Sequence, residues 1–172
     1  MSVLVTCASK HGSTREIGHR IAERLRERGI DVDERPIADA SDPAPYDAVV
    51  LGSAVYAGSW MKEASGFARR YDATLTERPT WLFSSGPTGT GEDHAVSDKQ
   101  MDRLRETVNP RDHRIFGGVL DTDALGFMER KIVRMVKSPE GDFRDWEAIS
   151  GYADEIADTL GRKAVLTTAP RI

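Results

Sequence analysis

Apolar residues follow two rhythms along this chain, short nearly unbroken runs and longer stretches spaced at three and four, and the alternation of the two predicts its elements. Residues 3–7, with Val3, Leu4 and Val5 in succession, read as a strand buried on both faces. From 14 to 28, Ile17, Gly18, Ile21, Ala22 and Leu25 recur at helical spacing. Glu16, Arg20, Glu23, Arg24 and Glu27 take the opposite face, and Gly29 closes the helix. Residues 30–37 alternate weakly among charges and suit an edge strand. Residues 47–53 and 80–85 are two further apolar strands. Helices are predicted over 61–71 and 97–108, a strand over 114–120, and a last helix to Arg162 with Ile149, Tyr152, Ala153, Ile156, Ala157 and Leu160 as its core stripe. Strands separated by helices call for a parallel sheet with right-handed crossovers, here a doubly wound α/β sheet of five strands in the order 2-1-3-4-5 with helices on both faces.

Ligands of such sheets lie beyond the carboxyl ends of the strands, and three of those ends carry unusual loops. The first reads Ser9, Lys10, His11, Gly12, Ser13, Thr14. Hydroxyls around a single Gly at the start of a helix make an anion site suited to a terminal phosphate. It has neither the Gly-Lys-Ser/Thr ending of a nucleotide-triphosphatase loop nor the three glycines of a dinucleotide turn. The other reading is a capping box, Ser13 with Glu16. The second loop, Ala54, Val55, Tyr56, Ala57, Gly58, Ser59, Trp60, offers small residues and two aromatics that either flank a flat ring or pack at the strand end. The third begins at Ser85 and runs through Gly86, Pro87, Thr88 and Gly89 to Gly91, too rich in glycine to pack and able to bring backbone groups against a ligand edge.

Composition narrows the partners. A chain of 172 residues, 39% hydrophobic, fits one domain, taken as 1–163, followed by a tail over 164–172 expected to be mobile. A net charge of -4 and a pI near 5.6 argue against a nucleic-acid binder. One cysteine, Cys7, excludes an internal disulfide, and no Cys/His cluster has metal-ligand spacing. With no signal peptide at Met1 and no run near the roughly 20 apolar residues of a membrane span, a cytoplasmic protein is expected. No side chain stands out as a general acid or base, and His113, at a strand margin, is given no role.

The loop Ala8 to Thr14, the stretches Gly52 to Gly58 and Ser84 to Pro87, and the block Pro139 to Trp146 together resemble the flavodoxin-like family of menaquinone-dependent protoporphyrinogen dehydrogenase, over nearly the whole chain. The resemblance implies a flavodoxin-like fold holding FMN, with its phosphate in the first loop and its ring between the other two. A backbone group of 54–58 would then meet the flavin N5, and N–H groups of 87–91 its N1/O2 edge. Lys10 and His11 depart from the threonines of many flavodoxins and add positive charge there. It further implies an FMN-dependent oxidoreductase that dehydrogenates protoporphyrinogen IX to protoporphyrin IX, with a porphyrinogen as donor and a quinone (menaquinone) as acceptor. A flavodoxin-type electron carrier, a quinone reductase and a binding protein without flavin are the alternatives.

One stretch is foreign to a short electron carrier. Along 124–137, Leu125, Met128, Ile132, Val133, Met135 and Val136 fall on one helical arc, broken only by Glu129, and Arg130, Lys131, Arg134 and Lys137 on the other. That pattern suits peripheral contact with an anionic membrane at the inner face of the cell. It equally suits a helix packed on the sheet or on a second subunit in a homodimer.

Overall fold

The structure, a computed structural model, describes residues 1–86, 97–120 and 141–168. The chain runs β1 (Ser2–Ala8), α1 (Ser13–Glu27), β2 (Asp31–Pro36), β3 (Ala48–Tyr56), β4 (Ser59–Trp60), α2 (Lys62–Arg70), α3 (Asp72–Glu77), β5 (Thr80–Gly86), α4 (Asp98–Val108), β6 (Asp112–Gly117), β7 (Val119–Leu120), β8 (Gly141–Asp142) and α5 (Trp146–Thr168). The main sheet is ordered β2-β1-β3-β5-β6 with every neighbouring pair parallel, which is the expected 2-1-3-4-5 order of five strands. To it is added β4, a two-residue arm antiparallel to β3.

Period-two alternation divides the strand side chains between two cores. Val3, Val5, Val50, Trp81 and Phe83 meet Ile17, Ile21 and Leu25 of α1 and Ile149, Tyr152, Ile156 and Leu160 of α5 on one face. Leu4, Val49, Leu51 and Leu82 meet Ala64, Phe67, Leu75, Leu104 and Val108 on the other. Each large apolar side chain buried this way contributes about 1.5–3 kcal/mol, and β1, β3 and β5 contain no charged residue. Gly52 sits under the Phe83 ring so closely that a Cβ there would lie 2.1 Å from Phe83 Cζ.

Four boundaries differ from the sequence pattern, each for a tertiary reason. β3 continues through Ala54, Val55 and Tyr56, which the pattern assigns to a loop, because Ala54 and Val55 remain buried and the strand turns back on itself as a hairpin. After α2 the chain forms α3, which the pattern omits because Leu75 is its one buried residue. The strand expected over 114–120 is two: β6 pairs with β5, while β7 pairs antiparallel with β8. Between them Gly118 passes the end of β5, where a Cβ would lie 2.6 Å from the Gly86 carbonyl oxygen. Finally α5 runs past Arg162 to Thr168, so residues 164–168 of the expected tail are helical. The amphipathic stretch 124–137 lies outside the described residues.

Candidate functional site

The first loop turns between β1 and α1 through Gly12, whose φ of 91° is left-handed and costs a side-chain-bearing residue strain. Ser9 Oγ accepts the Gly12 N–H at 3.1 Å and so shapes the turn. Ser13 opens the helix rather than capping it. Its Oγ accepts the Val119 N–H at 3.1 Å, and Glu16 pairs with Arg144 instead of folding back on the helix start, so the capping box is not formed. A hydroxyl that accepts one bond still has its own proton to donate. Ser9 and Ser13 therefore remain donors at the end of α1, where the N–H groups of the first turn have no intrahelical acceptor. Thr14 differs from the expectation of an open hydroxyl rim: it is buried, and its carbonyl accepts the Cys7 thiol at 3.7 Å. Lys10 and His11 are exposed at the loop tip.

The second wall is the hairpin of β3 and β4. Its two-residue turn holds Ala57 at φ 48° and Gly58 at φ 71°, the doubly left-handed turn that matches strand twist. For Ala57 that conformation is unfavourable by about 1–2 kcal/mol, so the surroundings must impose it. They do so through three hydrogen bonds, two to α4 and its cap and one to β3. The Gly58 carbonyl accepts the Ser97 N–H at 2.8 Å, the Trp60 N–H donates to Gln100 Oε1 at 3.2 Å, and the Met61 N–H donates to Ser53 Oγ at 3.0 Å. Trp60 itself is 4% exposed and points into the core, so it does not flank a ligand ring. Tyr56 is 40% exposed, with Lys10 Nζ 6.0 Å from its ring centroid, which puts the first loop and the hairpin side by side.

The end of β5 completes the group. Ser85 and Gly86 are buried beside Gly118, and the next residue, Val119, is the one that bonds Ser13. The ends of β1, β5 and β6 thus meet, with the β3 hairpin against the first of them. Pro87, Thr88 and Gly89 lie outside the described residues.

Three segments contribute residues that the sequence pattern gave no place at the site. Val119 and Gly118 reach the site only because β6 lies next to β5. Arg144 is 10% exposed at its side chain; its guanidinium bonds Asp142 at 2.6 Å and also Glu16, and lies 4.5 Å from the centre of the Trp146 ring. Its charge holds the Asp142 carboxyl below the usual carboxylate range and offsets the negative charge of Glu16 beside the first loop. His113 is the third: its Nε2 lies 2.7 Å from Ser84 Oγ, and burial pushes its pKa down to about 4. Cys7, by contrast, is pushed up to about 12 by burial and offers no thiolate.

A family model described as a flavodoxin domain matches residues 4–147. The chain is 22% identical to the protoporphyrinogen IX dehydrogenase (quinone) of Escherichia coli strain K12, over 91% of this chain and 95% of that protein. Among solved structures, a flavodoxin of Streptococcus pneumoniae TIGR4 superposes with a TM-score of 0.64 at 18% identity, covering 92% of this chain and 99% of that one. Oxidised flavodoxin 1 of Bacillus cereus gives 0.63 at 14% identity, covering 92% and 98%.

Proposed function

The chain belongs to the flavodoxin-domain family, and from that premise we propose that it is an FMN-dependent oxidoreductase that dehydrogenates a porphyrinogen and passes the electrons to a quinone. The observation that carries the cofactor is the first loop. The left-handed Gly12 turn, the Ser9 and Ser13 hydroxyls and the open start of α1 form a cradle of neutral donors, next to a hairpin turn with an exposed tyrosine. These residues fit the group. Ser9 and Ser13 would donate to the phosphate, and Gly12 keeps a Cβ out of the turn. Tyr56 and the Ala57–Gly58 turn would wall the ring. When bound, the flavin supplies two-electron acceptance from a reduced organic substrate. The protein's part is orientation and exclusion of water.

The porphyrinogen and quinone rest on likeness to the Escherichia coli enzyme, since a fold does not fix a substrate. The basic amphipathic stretch 124–137 supports collection of a lipophilic partner at an anionic surface. The test is direct. Purified protein should be yellow with one FMN per chain, and should turn protoporphyrinogen IX into fluorescent porphyrin with a menaquinone analogue as acceptor. Stoichiometric FMN without turnover of that pair would leave the cofactor and remove the substrate; a colourless protein that FMN does not restore would remove both.

A further inference from the structure

Trp60, Ser84 and His113 form a hydrogen-bonded chain across β4, β5 and β6, buried at Trp60 and Ser84 and half-buried at His113. The Trp60 indole N–H donates to Ser84 Oγ at 2.7 Å, and Ser84 Oγ lies 2.7 Å from His113 Nε2, with the Trp60 and His113 rings edge to face at 6.4 Å. An indole nitrogen only donates, so Ser84 accepts from Trp60. Ser84 is fully buried, and its own proton is satisfied by donation to Nε2, which assigns His113 the neutral form protonated at Nδ1. A proton added at Nε2 would reverse that bond and leave the Ser84 hydroxyl hydrogen buried without this acceptor. The charged groups facing the ring are Asp112 on its own strand and Arg105 on α4; β4 and β5 present the uncharged Trp60 and Ser84.

We propose that His113 is a positioning residue for the cofactor wall: as a neutral acceptor it fixes the Ser84 hydroxyl, which anchors the Trp60 indole and thereby holds the strained Ala57–Gly58 turn in the shape that meets the flavin. The proposal rests on the FMN reading above. Trp60 is the last residue of the hairpin, two positions after the turn, and its ring is the hairpin's only large buried side chain beyond that turn. Releasing its indole therefore acts on Ala57 through a short lever.

The experiment measures FMN affinity of the full chain with free FMN by fluorescence quenching. His113→Leu and Ser84→Ala should each bind roughly tenfold more weakly than wild type, whereas His113→Gln, which keeps an acceptor, should stay within about threefold. Tyr152→Phe, which loses a buried bond to the Leu82 carbonyl away from the hairpin, should lose stability but no affinity. As pH falls through about 4, wild-type affinity should decline more steeply than that of His113→Gln. The Trp60 indole N–H, followed by NMR, should be protected from exchange in wild type and unprotected in Ser84→Ala. Wild-type affinity in both His113→Leu and Ser84→Ala would overturn the proposal while leaving the FMN reading intact. A wild-type protein that binds no FMN overturns the FMN reading, and the proposal with it, before any variant is made.

Discussion

His113 and Gly52 show how much a single position can carry. The folded state holds His113 neutral down to about pH 4, while an unfolded histidine takes a proton near pH 6.5. Between those values the unfolded chain binds the proton and the folded chain does not, so stability falls as pH falls from about 6.5 to about 4. Urea unfolding at pH 7 and pH 4 should show wild type losing about 3 kcal/mol relative to His113→Gln over that window. At Gly52 the argument is steric. Phe83 is fully buried and its ring occupies the space of the missing Cβ. Gly52→Ala should therefore cost about 3 kcal/mol or more, read as a lower urea midpoint with an unchanged slope.

Between elements, the contact of most consequence is the one from the start of α5 to the start of α1. Arg144, between β8 and α5, spans from Asp142 to Glu16 and covers Trp146. Both carboxylates are about half exposed, so removing the arginine leaves them solvated. Arg144→Ala should cost only about 1 kcal/mol in stability. Its larger effect should be on ligand. With Glu16 no longer offset, the phosphate cradle faces an uncompensated negative charge, and FMN should bind a few-fold more weakly at low salt. A titration repeated at 0.5 M salt should close most of that gap, because screening acts on Glu16 as it would on any exposed charge. An affinity loss of equal size at both salt concentrations would show that Arg144 acts by packing instead.

For the whole molecule, no helix among the described residues is long and apolar enough to cross a membrane, and on the proposed function its stability should depend on cofactor. A ligand that binds only the folded chain adds about 2.7 kcal/mol at a hundred times its dissociation constant. For a domain of this size that corresponds to a rise in Tm of roughly 5–10 °C. Thermal unfolding with FMN and with riboflavin separates the contributions of phosphate and ring: riboflavin should give clearly less stabilisation if the Ser9–Ser13 cradle holds the phosphate.

The sheet was legible because its information is local. Unbroken apolar runs at β1, β3 and β5 and the charged run at β2 state which strands are central and which is at the edge, and the alternation with helices dictates parallel order. The first loop was legible for the same reason: Ser9, Gly12 and Ser13 lie within one turn of each other. The use of each hydroxyl was not. Whether Ser13 caps its own helix or accepts from Val119 depends on where β6 ends, which is more than a hundred residues away in sequence. Trp60 reads equally well as a ligand's neighbour or as core, and the register of a two-residue hairpin decided for the core. Ser84 and His113 carry no signal of pairing, since they stand on different strands and meet only because β5 and β6 are neighbours in the sheet. Periodicity and loop composition determined the layers and the end of the sheet at which the small-residue loops gather. Long-range contacts decided which side chains are free to face a ligand there, because a hydrogen-bonding group is committed by whatever the fold brings within 3 Å of it.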